Sequence, residues 1–261
     1  MKTHILRTIV MIAGLVLAAF NPAGRAAEAG AAMAGIEQKI ERALYRGDAA
    51  LLTEAEGELA VALKAEPGRA GLRYLEGFGA YARASFEYAT KDKKALEKGL
   101  VRADELLAKV KGEPWAAEAL ALRGYVTGQL IGARGSMSGM TLGPKMKRQT
   151  SEAVDEVPGS GRALMFHGVT LLSTPEMFGG DPAEALRLFT RAAAVFEKGE
   201  GATVTGWGGA LTYYWLARAR LKAGDLAGAK EAAEKALERE PEYAVVRYGL
   251  MKEIEGKLAG K

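Results

Sequence analysis

The sequence contains no cysteine. This absence excludes disulfide bonds, thiol catalysis and zinc–thiolate sites, and it removes the lipid-accepting cysteine of a bacterial lipoprotein. Histidine is almost absent too, with only two residues in the chain. The serine residues lack a nucleophile-elbow context, and His167 is the one histidine outside the amino-terminal segment. We therefore expect no enzyme activity; a hydrolase built on a carboxylate pair or on a His167 network is the third hypothesis.

A strong charge of one sign is also missing. The formal net charge is +4, from 36 basic and 32 acidic residues. Removal of residues 1–29 takes away Lys2, Arg7, Arg25 and Glu28, which leaves 33 basic and 31 acidic residues, or +2. A chain so close to neutrality has no strong field to attract nucleic acid. We expect no nucleic-acid partner.

Long hydrophobic runs are limited to one segment near the amino terminus. Lys2 and Arg7 precede an apolar run over residues 9–20, and small residues follow, which is the layout of a secretory signal peptide. The run is shorter than the roughly 20 residues of a membrane-spanning helix. Cleavage after Ala26 or Ala29 is predicted. The expected products are a signal peptide, residues 1–29, and a periplasmic domain, residues 30–261, without stable membrane insertion.

Alanine is abundant, aromatic residues make up only 7% of the chain, and strand signals are almost absent. Small side chains favour helices packed closely on helices. Residues 212–241 show the pattern best, because apolar residues recur at helical spacing on both sides of a Gly224–Asp225 turn. Glycine there can end one helix and aspartate can cap the next. This segment predicts a helical hairpin that ends at Pro241.

The hairpin resembles the tetratricopeptide repeat family. Its matching positions are Leu216, Ala217, Gly224, Asp225, Ala229, Ala236 and Pro241. Arg220 and Ala233 depart from that pattern, because both stand where an aromatic residue is usual. Weaker copies are predicted over residues 36–67, 72–114 and 164–192, with a further helix over residues 115–130. The predicted fold is an all-α solenoid of about four tetratricopeptide-like helix pairs, because such pairs bury each other's apolar faces.

Glycine-rich segments interrupt the pattern at residues 132–145 and 199–209, and a loop is inserted at residues 173–178. The runs at 138–145, 174–180 and 206–208, in this order, are similar to an uncharacterised group of exported bacterial tetratricopeptide-like proteins. A more distant resemblance is to the periplasmic helical-repeat component of some TRAP-type transporters. These resemblances imply export and a role in binding, with no assigned chemistry.

The segment at 132–145 and the loop inserted at 173–178 are candidate ligand sites, because loops carry function more often than packed helices. Thr141 and Lys145 are placed where a glycine-rich backbone concavity could hold an anionic group, although a plain connection explains the same residues. Glu176 and Phe178 lie in the inserted loop. The loop could hold Glu176 over the groove as a ligand contact, but the favoured interpretation is structural, with Phe178 packed on the core between the two helices. Three methionines, Met137, Met140 and Met146, can either bind copper(I) or fill gaps between helices, and the second use is more frequent. We expect no cofactor and no metal.

Aromatic residues on the first helices give the clearest binding signal. Partner-binding candidates are Tyr74, Phe78, Tyr81, Trp207 and Tyr214, because first helices of such repeats line a concave face. The alternative is that most of these rings fill the core. The leading hypothesis is a scaffold that binds a peptide or partner protein on its concave surface. The competing hypothesis is a small-molecule-binding accessory of an envelope transporter, for which an enclosed apolar cavity is expected.

Overall fold

The computed structural model describes residues 22–199 and 206–260, and within these ranges the chain is helical without any strand. The first helices are α1 (Pro22–Arg46), α2 (Ala49–Ala65), α3 (Ala70–Ser85), α4 (Glu87–Thr90), α5 (Lys93–Leu107) and α6 (Trp115–Arg134). The later helices are α7 (Gly139–Glu156), α8 (Gly161–Ser173), α9 (Pro182–Glu197), α10 (Gly209–Lys222), α11 (Leu226–Arg239) and α12 (Met251–Ala259). Short 3₁₀ turns lie at Ser136–Ser138 and Glu176–Phe178, and a π-turn lies at Val246–Leu250.

Aspartate and serine residues set the starts of the helices. Asp48 accepts a hydrogen bond from the Leu51 amide at 2.9 Å, and Asp225 accepts one from the Gly228 amide at 2.9 Å. Asp92, Ser160 and Asp181 cap α5, α8 and α9 in the same way. A side chain of this kind satisfies an amide that the first turn of a helix leaves unbonded. The boundaries predicted from Gly–Asp turns therefore have a direct physical cause.

Consecutive helices from α3 onwards pack as antiparallel pairs, and glycine permits their close approach. A Cβ atom at Gly168 of α8 would lie 2.8 Å from the Phe189 ring of α9. One at Gly124 of α6 would lie 2.3 Å from the Thr150 side chain of α7. Real Cβ contacts are not this short, so these positions need glycine for packing rather than for backbone freedom.

The predicted all-α class is confirmed. The hairpin predicted over residues 212–241 is observed as α10, the Gly224 turn and α11, with Gly224 at a φ of 81°. The described residues divide into two compact units, one up to Gly35 and the other from Ile36 onwards. The apolar run at 9–20 and the residues 202–205 lie outside the described ranges. Both predicted signal cleavage positions fall within α1.

The interruption predicted at residues 132–145 is wrong in its second half. Residues 139–145 form the first turns of α7, and Pro144 lies inside that helix. Glycine and proline disfavour a helix interior, but α7 buries Met146, Gln149 and Thr150 against its neighbours. Packing overrides local propensity here, so Gly139, Thr141, Gly143, Pro144 and Lys145 do not form a backbone concavity.

No helix in the described ranges is both long and apolar enough to cross a membrane.

Candidate functional site

Exposed apolar side chains are concentrated at one end of the helix pairs. Since neighbouring helices are antiparallel, α3, α6 and α8 end on the same side, and residues 86–92, 135–138 and 174–180 connect them to the next helices. These connectors and the first turn of α7 carry Tyr88, Met137, Met140, Met177 and Phe178, all exposed. The connectors at the opposite end of these helices, residues 66–69, 108–114 and 157–160, carry no large exposed hydrophobic residue. Val245 and Tyr248, which follow α11, are exposed as well. From α3 to α9, the two ends of the helix pairs therefore differ in their exposed apolar residues.

We use the name apical surface for Met137, Met140, Met177 and Phe178. Their side chains are 84, 80, 82 and 67% exposed, respectively. Met137 lies in the connector between α6 and α7, Met140 lies in the first turn of α7, and Met177 and Phe178 lie in the loop between α8 and α9. Large apolar side chains exposed together at one end of a domain commonly mark an interaction site.

The loop that carries Met177 and Phe178 is held by its own hydrogen bonds. The Phe178 amide donates to the Pro175 carbonyl at 2.8 Å, and the Gly179 amide donates to the Glu176 carbonyl at 2.9 Å. Gly179 adopts a φ of 85°, which favours glycine. A Cβ atom at Gly180 would lie 1.8 Å from the Thr174 carbonyl oxygen. The loop therefore presents two large apolar side chains on an ordered backbone.

The sequence predictions for this loop concern Glu176 and Phe178. Both are exposed, so Phe178 does not pack into the core between α8 and α9 as the preferred interpretation had it. The 3₁₀ turn at Glu176–Phe178 points these residues outward because its own backbone bonds close the turn without help from apolar packing. Phe178 is thus available for contact with another molecule.

Helix α7, which follows the α6–α7 connector, lies beside this loop. The Lys147 amine of α7 donates to the Gly179 carbonyl at 3.4 Å. Met140 lies two helical turns before Lys147, on the same face of α7. The helix that begins in the first of the two segments that the sequence singled out therefore contacts the second.

Thr141 and Lys145, the two candidate residues at the start of α7, form hydrogen bonds or ion pairs with nearby residues of the protein. The Thr141 hydroxyl donates to the Ser138 carbonyl at 3.1 Å. The Lys145 amine lies 3.1 Å from an Asp104 carboxylate oxygen, whose other oxygen accepts from Arg123 at 2.8 Å. Burial alone would raise the pKa of Asp104, but the hydrogen bonds from these two cations outweigh it and lower that pKa. Lys145 thus joins α7 to α5 rather than offering a free cation to a ligand.

The aromatic candidates on the first helices lie in the interior. Tyr74, Phe78 and Trp207 are fully buried, and Tyr81 is almost so. Trp207 stacks on Phe78 with ring centroids 4.0 Å apart, and its indole N–H donates to the Tyr74 hydroxyl at 3.1 Å. Tyr214 is half-buried and packs edge-on against Trp215 at 5.1 Å. In this structure these rings pack together, which corresponds to the core alternative raised for them; partner binding by these residues stays a prediction.

A buried ion pair adjoins Trp207. Arg162 of α8 donates through Nε to Glu118 of α6 at 2.9 Å, and both side chains are inaccessible to solvent. The guanidinium also donates to the Trp207 carbonyl at 3.1 Å and lies 5.5 Å from its ring. Burial acts to lower the pKa of Arg162, but Glu118 outweighs it and the pKa is raised. The pair joins α6, α8 and the segment before α10.

Two carboxylates of α1 hold that same segment. Glu37 accepts from the amides of Gly206 at 2.8 Å and Trp207 at 3.1 Å, and Glu41 accepts from the Gly208 amide at 2.9 Å. Amides at the start of a helix favour a negative charge. Burial raises the pKa of Glu41 to about 7, although its bond from Gly208 acts in the opposite direction.

Sequence reasoning missed this buried network. The charged residues of α1, α6 and α8 sit at helical positions that would equally suit a solvated face. Only the Gly–Trp–Gly run at 206–208, which the sequence did single out, signalled a special role for this part of the chain. Its partners lie 45 to 170 positions earlier in the sequence and carry no local signal.

The remaining sequence candidates separate in the structure. Met146 is buried and its sulfur lies against Gly128, whereas Met137 and Met140 are exposed, so the three methionines do not form one cluster. His167 is half-buried, and its Nδ1 lies 3.0 Å from the Thr150 hydroxyl. Burial lowers the pKa of His167. Within the described ranges, no group of three or more histidine, aspartate or glutamate residues is arranged to hold a metal ion.

Two open clefts lie in the described surface. One is at Glu113, Pro114, Glu156 and Val157, and the other lies between Leu221, Gly224 and the end of α12. Neither is an enclosed apolar cavity. The described surface thus offers its apolar groups on a protruding face rather than in a pocket.

No protein-family model matches this chain, and no curated protein matches it. A solved structure with a similar fold is the HusA haemophore from Porphyromonas gingivalis. The two share 18% sequence identity at a TM-score of 0.55, over 76% of this chain and 93% of that one. This similarity concerns the helical fold.

Proposed function

We propose that this protein is a tetratricopeptide-like interaction module of the bacterial envelope that binds a partner protein through the apical surface. The observation that carries the proposal is the ordered loop at residues 174–180, which holds Met177 and Phe178 in solvent. Exposing large apolar groups costs roughly 25 cal/mol for each Å² that burial would remove from water. A rigid backbone around them reduces the entropy lost on binding.

The composition of the apical surface suits a protein partner. Methionine side chains are flexible and polarisable, so they adapt to differently shaped apolar surfaces. Phenylalanine supplies a rigid anchor that can enter a pocket on the other protein. The proposed contact lies on the connectors, not on the buried rings of the first helices.

The open form of the surface favours a protein over a small molecule. Small ligands are usually held in concave pockets that cover most of their area. The side chains of the apical surface are exposed, and Lys147 and Arg148 of α7 are exposed as well. A partner with an apolar segment could cover several of these side chains at once. Secretion to the periplasm, as the amino-terminal segment predicts, is part of the same proposal.

Site-specific photo-crosslinking in the native envelope tests the proposal. Met177 is replaced by p-benzoylphenylalanine in one variant, and Val61, which is 72% exposed on α2, is replaced in the matched control. We expect one protein to crosslink from position 177 and not from position 61, with a lower yield in a Phe178→Ser background. Equal capture of the same proteins from both positions would contradict the proposal.

Haem binding is a second candidate function. The fold is similar to that of a haemophore, and the apical surface exposes three thioethers, which can serve as axial ligands of haem iron. Titration with hemin, followed by visible absorbance, tests this candidate. Saturable binding that Met137→Leu, Met140→Leu and Met177→Leu together abolish would support it. Absence of a spectral change at micromolar hemin would remove it.

A further inference from the structure

We infer that the three methionines of the apical surface form a selective oxidation site, and that their conversion to sulfoxides switches off binding at this surface. The modifying agent is a peroxide. The inference about selectivity stands on exposure alone, while the effect on binding rests on the proposed function.

The structure divides the methionines outside α1 and the masked segments into distinct classes. Met137, Met140 and Met177 are 84, 80 and 82% exposed, whereas Met146 is 8% exposed and Met165 is fully buried. Oxidation of a thioether requires access of the oxidant to sulfur. Met33 and Met251 are half-buried. The three most exposed of the described methionines all lie on the apical surface, so oxidation would be concentrated there.

The chemistry needs only the sulfur and the oxidant. The thioether sulfur attacks one oxygen of hydrogen peroxide, and the O–O bond breaks. That oxygen remains bonded to sulfur as the sulfoxide, and its proton moves to the departing hydroxide, which leaves as water. Sulfur loses two electrons and the peroxide gains them.

The consequence for the surface is a change from apolar to polar. A sulfoxide oxygen is a strong hydrogen-bond acceptor and retains water, whereas a thioether gives up its hydration easily. Three such changes leave Phe178 as the one large apolar group of the apical surface. The core is untouched, because Met146 and Met165 are covered. The modification would therefore alter binding without unfolding the protein.

Methionine sulfoxides on the apical surface are accessible to enzymatic reduction. Sulfoxide reductases need access to the modified side chain, and methionine sulfoxide is reduced enzymatically, one enzyme for each epimer. Because Met177 lies on an ordered loop and not inside a helix pair, its sulfoxide can be reached without unfolding. The change is thus reversible in principle.

Peptide mapping of the folded, full-length protein after limited hydrogen peroxide treatment tests selectivity. We expect Met137, Met140 and Met177 to oxidise at least about tenfold faster than Met146 and Met165, since oxidation follows exposure. Comparable rates at Met165 would overturn the inference. Circular dichroism checks that the helices persist during the treatment.

The effect on the surface is measured with the apolar dye anilinonaphthalene sulfonate. We expect oxidation to lower dye fluorescence of the wild type and of a Val61→Ser control alike, and methionine sulfoxide reductases A and B to restore it. The combined Met137→Leu, Met140→Leu and Met177→Leu variant keeps an apolar surface that peroxide cannot modify, so its signal should persist. An equal loss in that variant would overturn the switch.

This design separates the two proposals. Selective oxidation with the expected dye response, together with no crosslink from position 177, would contradict partner binding while the oxidation site stands. A specific crosslink from position 177 that survives oxidation of Met137 and Met140, the two apical methionines left in that variant, would contradict the switch and leave partner binding intact.

Discussion

At the scale of single residues, the interior depends on charges that are fully paired. Glu118 accepts from Arg162 at 2.9 Å and from the Ser160 hydroxyl at 2.7 Å, and all three residues are buried. Removing water from an ion costs several kcal/mol, and paired geometry returns most of that cost. Loss of one partner is therefore far worse than loss of both.

We predict that Glu118→Leu destabilises the protein by about 3–5 kcal/mol, because Arg162 then stays buried without its main counter-ion. Urea unfolding followed by circular dichroism measures this change. The combined variant Glu118→Leu with Arg162→Met should cost less than the sum of the two single variants. Additive costs would show that the two side chains do not act as a pair.

Glu41 predicts a dependence of stability on pH. Its folded-state pKa is raised to about 7, mainly by burial, from an ordinary value of 4.5. Above about pH 4.5 the folded state binds more protons than the unfolded state, so stability falls as pH rises and levels off above about 7. The expected loss is about 1–3 kcal/mol, because one pKa unit corresponds to 1.36 kcal/mol and partial exposure reduces the effect.

Glu41→Gln isolates this contribution. Glutamine keeps an acceptor for the Gly208 amide but cannot titrate. Between pH 5 and pH 7.5 the wild type should lose unfolding free energy relative to the variant. Above pH 7.5 the difference between the two proteins should stay constant. His167 has a lowered pKa and acts in the opposite direction, but it contributes equally to both proteins and cancels. A constant difference across this window would contradict the assignment.

At the scale of helices and turns, close approach decides which glycines matter. Gly168 faces Phe189 across the α8–α9 pair, whereas Gly57 lies exposed within α2 with no atom near its missing Cβ. Gly168→Ala should destabilise by about 1–3 kcal/mol through overpacking. Gly57→Ala should stabilise by about 0.5–1 kcal/mol, because alanine is the better helix former. Thermal unfolding of the two variants compares them directly; equal effects would contradict the packing argument.

Turn chemistry explains what could be predicted from the sequence. Asp48, Asp92, Asp181 and Asp225 follow a glycine or lysine and precede apolar runs, so each marked a helix start that the structure contains. The helix at residues 139–156 was not predictable in the same way. Its first turns hold two glycines and a proline, and the packing that stabilises them involves α6 and α8, which a local pattern does not reveal.

The candidate site was predictable in part, because breaks in the repeat are visible in the sequence whereas contacts between distant segments are not. The segments at 132–145 and 174–180 stood out because they break the repeat, but their proximity depends on the antiparallel order of α7 and α8. Exposure was less predictable still. Phe178 looked like a packing residue by its type, whereas the hydrogen bonds of its own loop hold it outside. Conversely, Phe78 and Trp207 were candidates by type and position, and their mutual stacking places them inside.

At the scale of the whole compact unit over residues 36–261, contacts distant in sequence cross the order of the helix pairs. Glu37 of α1 binds amides at 206 and 207, and Arg46 pairs with Glu240 at 3.2 Å. In an open array of repeats, each pair touches only its neighbours, and stability is a sum of local terms. Contacts of this range couple the start of the unit to its last helices. We therefore expect the unit to unfold in one cooperative step.

Glu37→Ala tests that coupling against a control on the same helix. Lys39→Ala removes ion pairs to Glu54 and Glu58 of α2, at 2.6 and 2.5 Å, which are exposed and contribute at most about 1 kcal/mol. Glu37→Ala instead leaves two amides before α10 without their acceptor, at an expected cost of about 2–4 kcal/mol. Hydrogen exchange read by mass spectrometry should then show lower protection in α10 and α11 as well as in α3. If protection falls only in α1 and its sequence neighbour, the helix pairs open independently and the coupling is refuted.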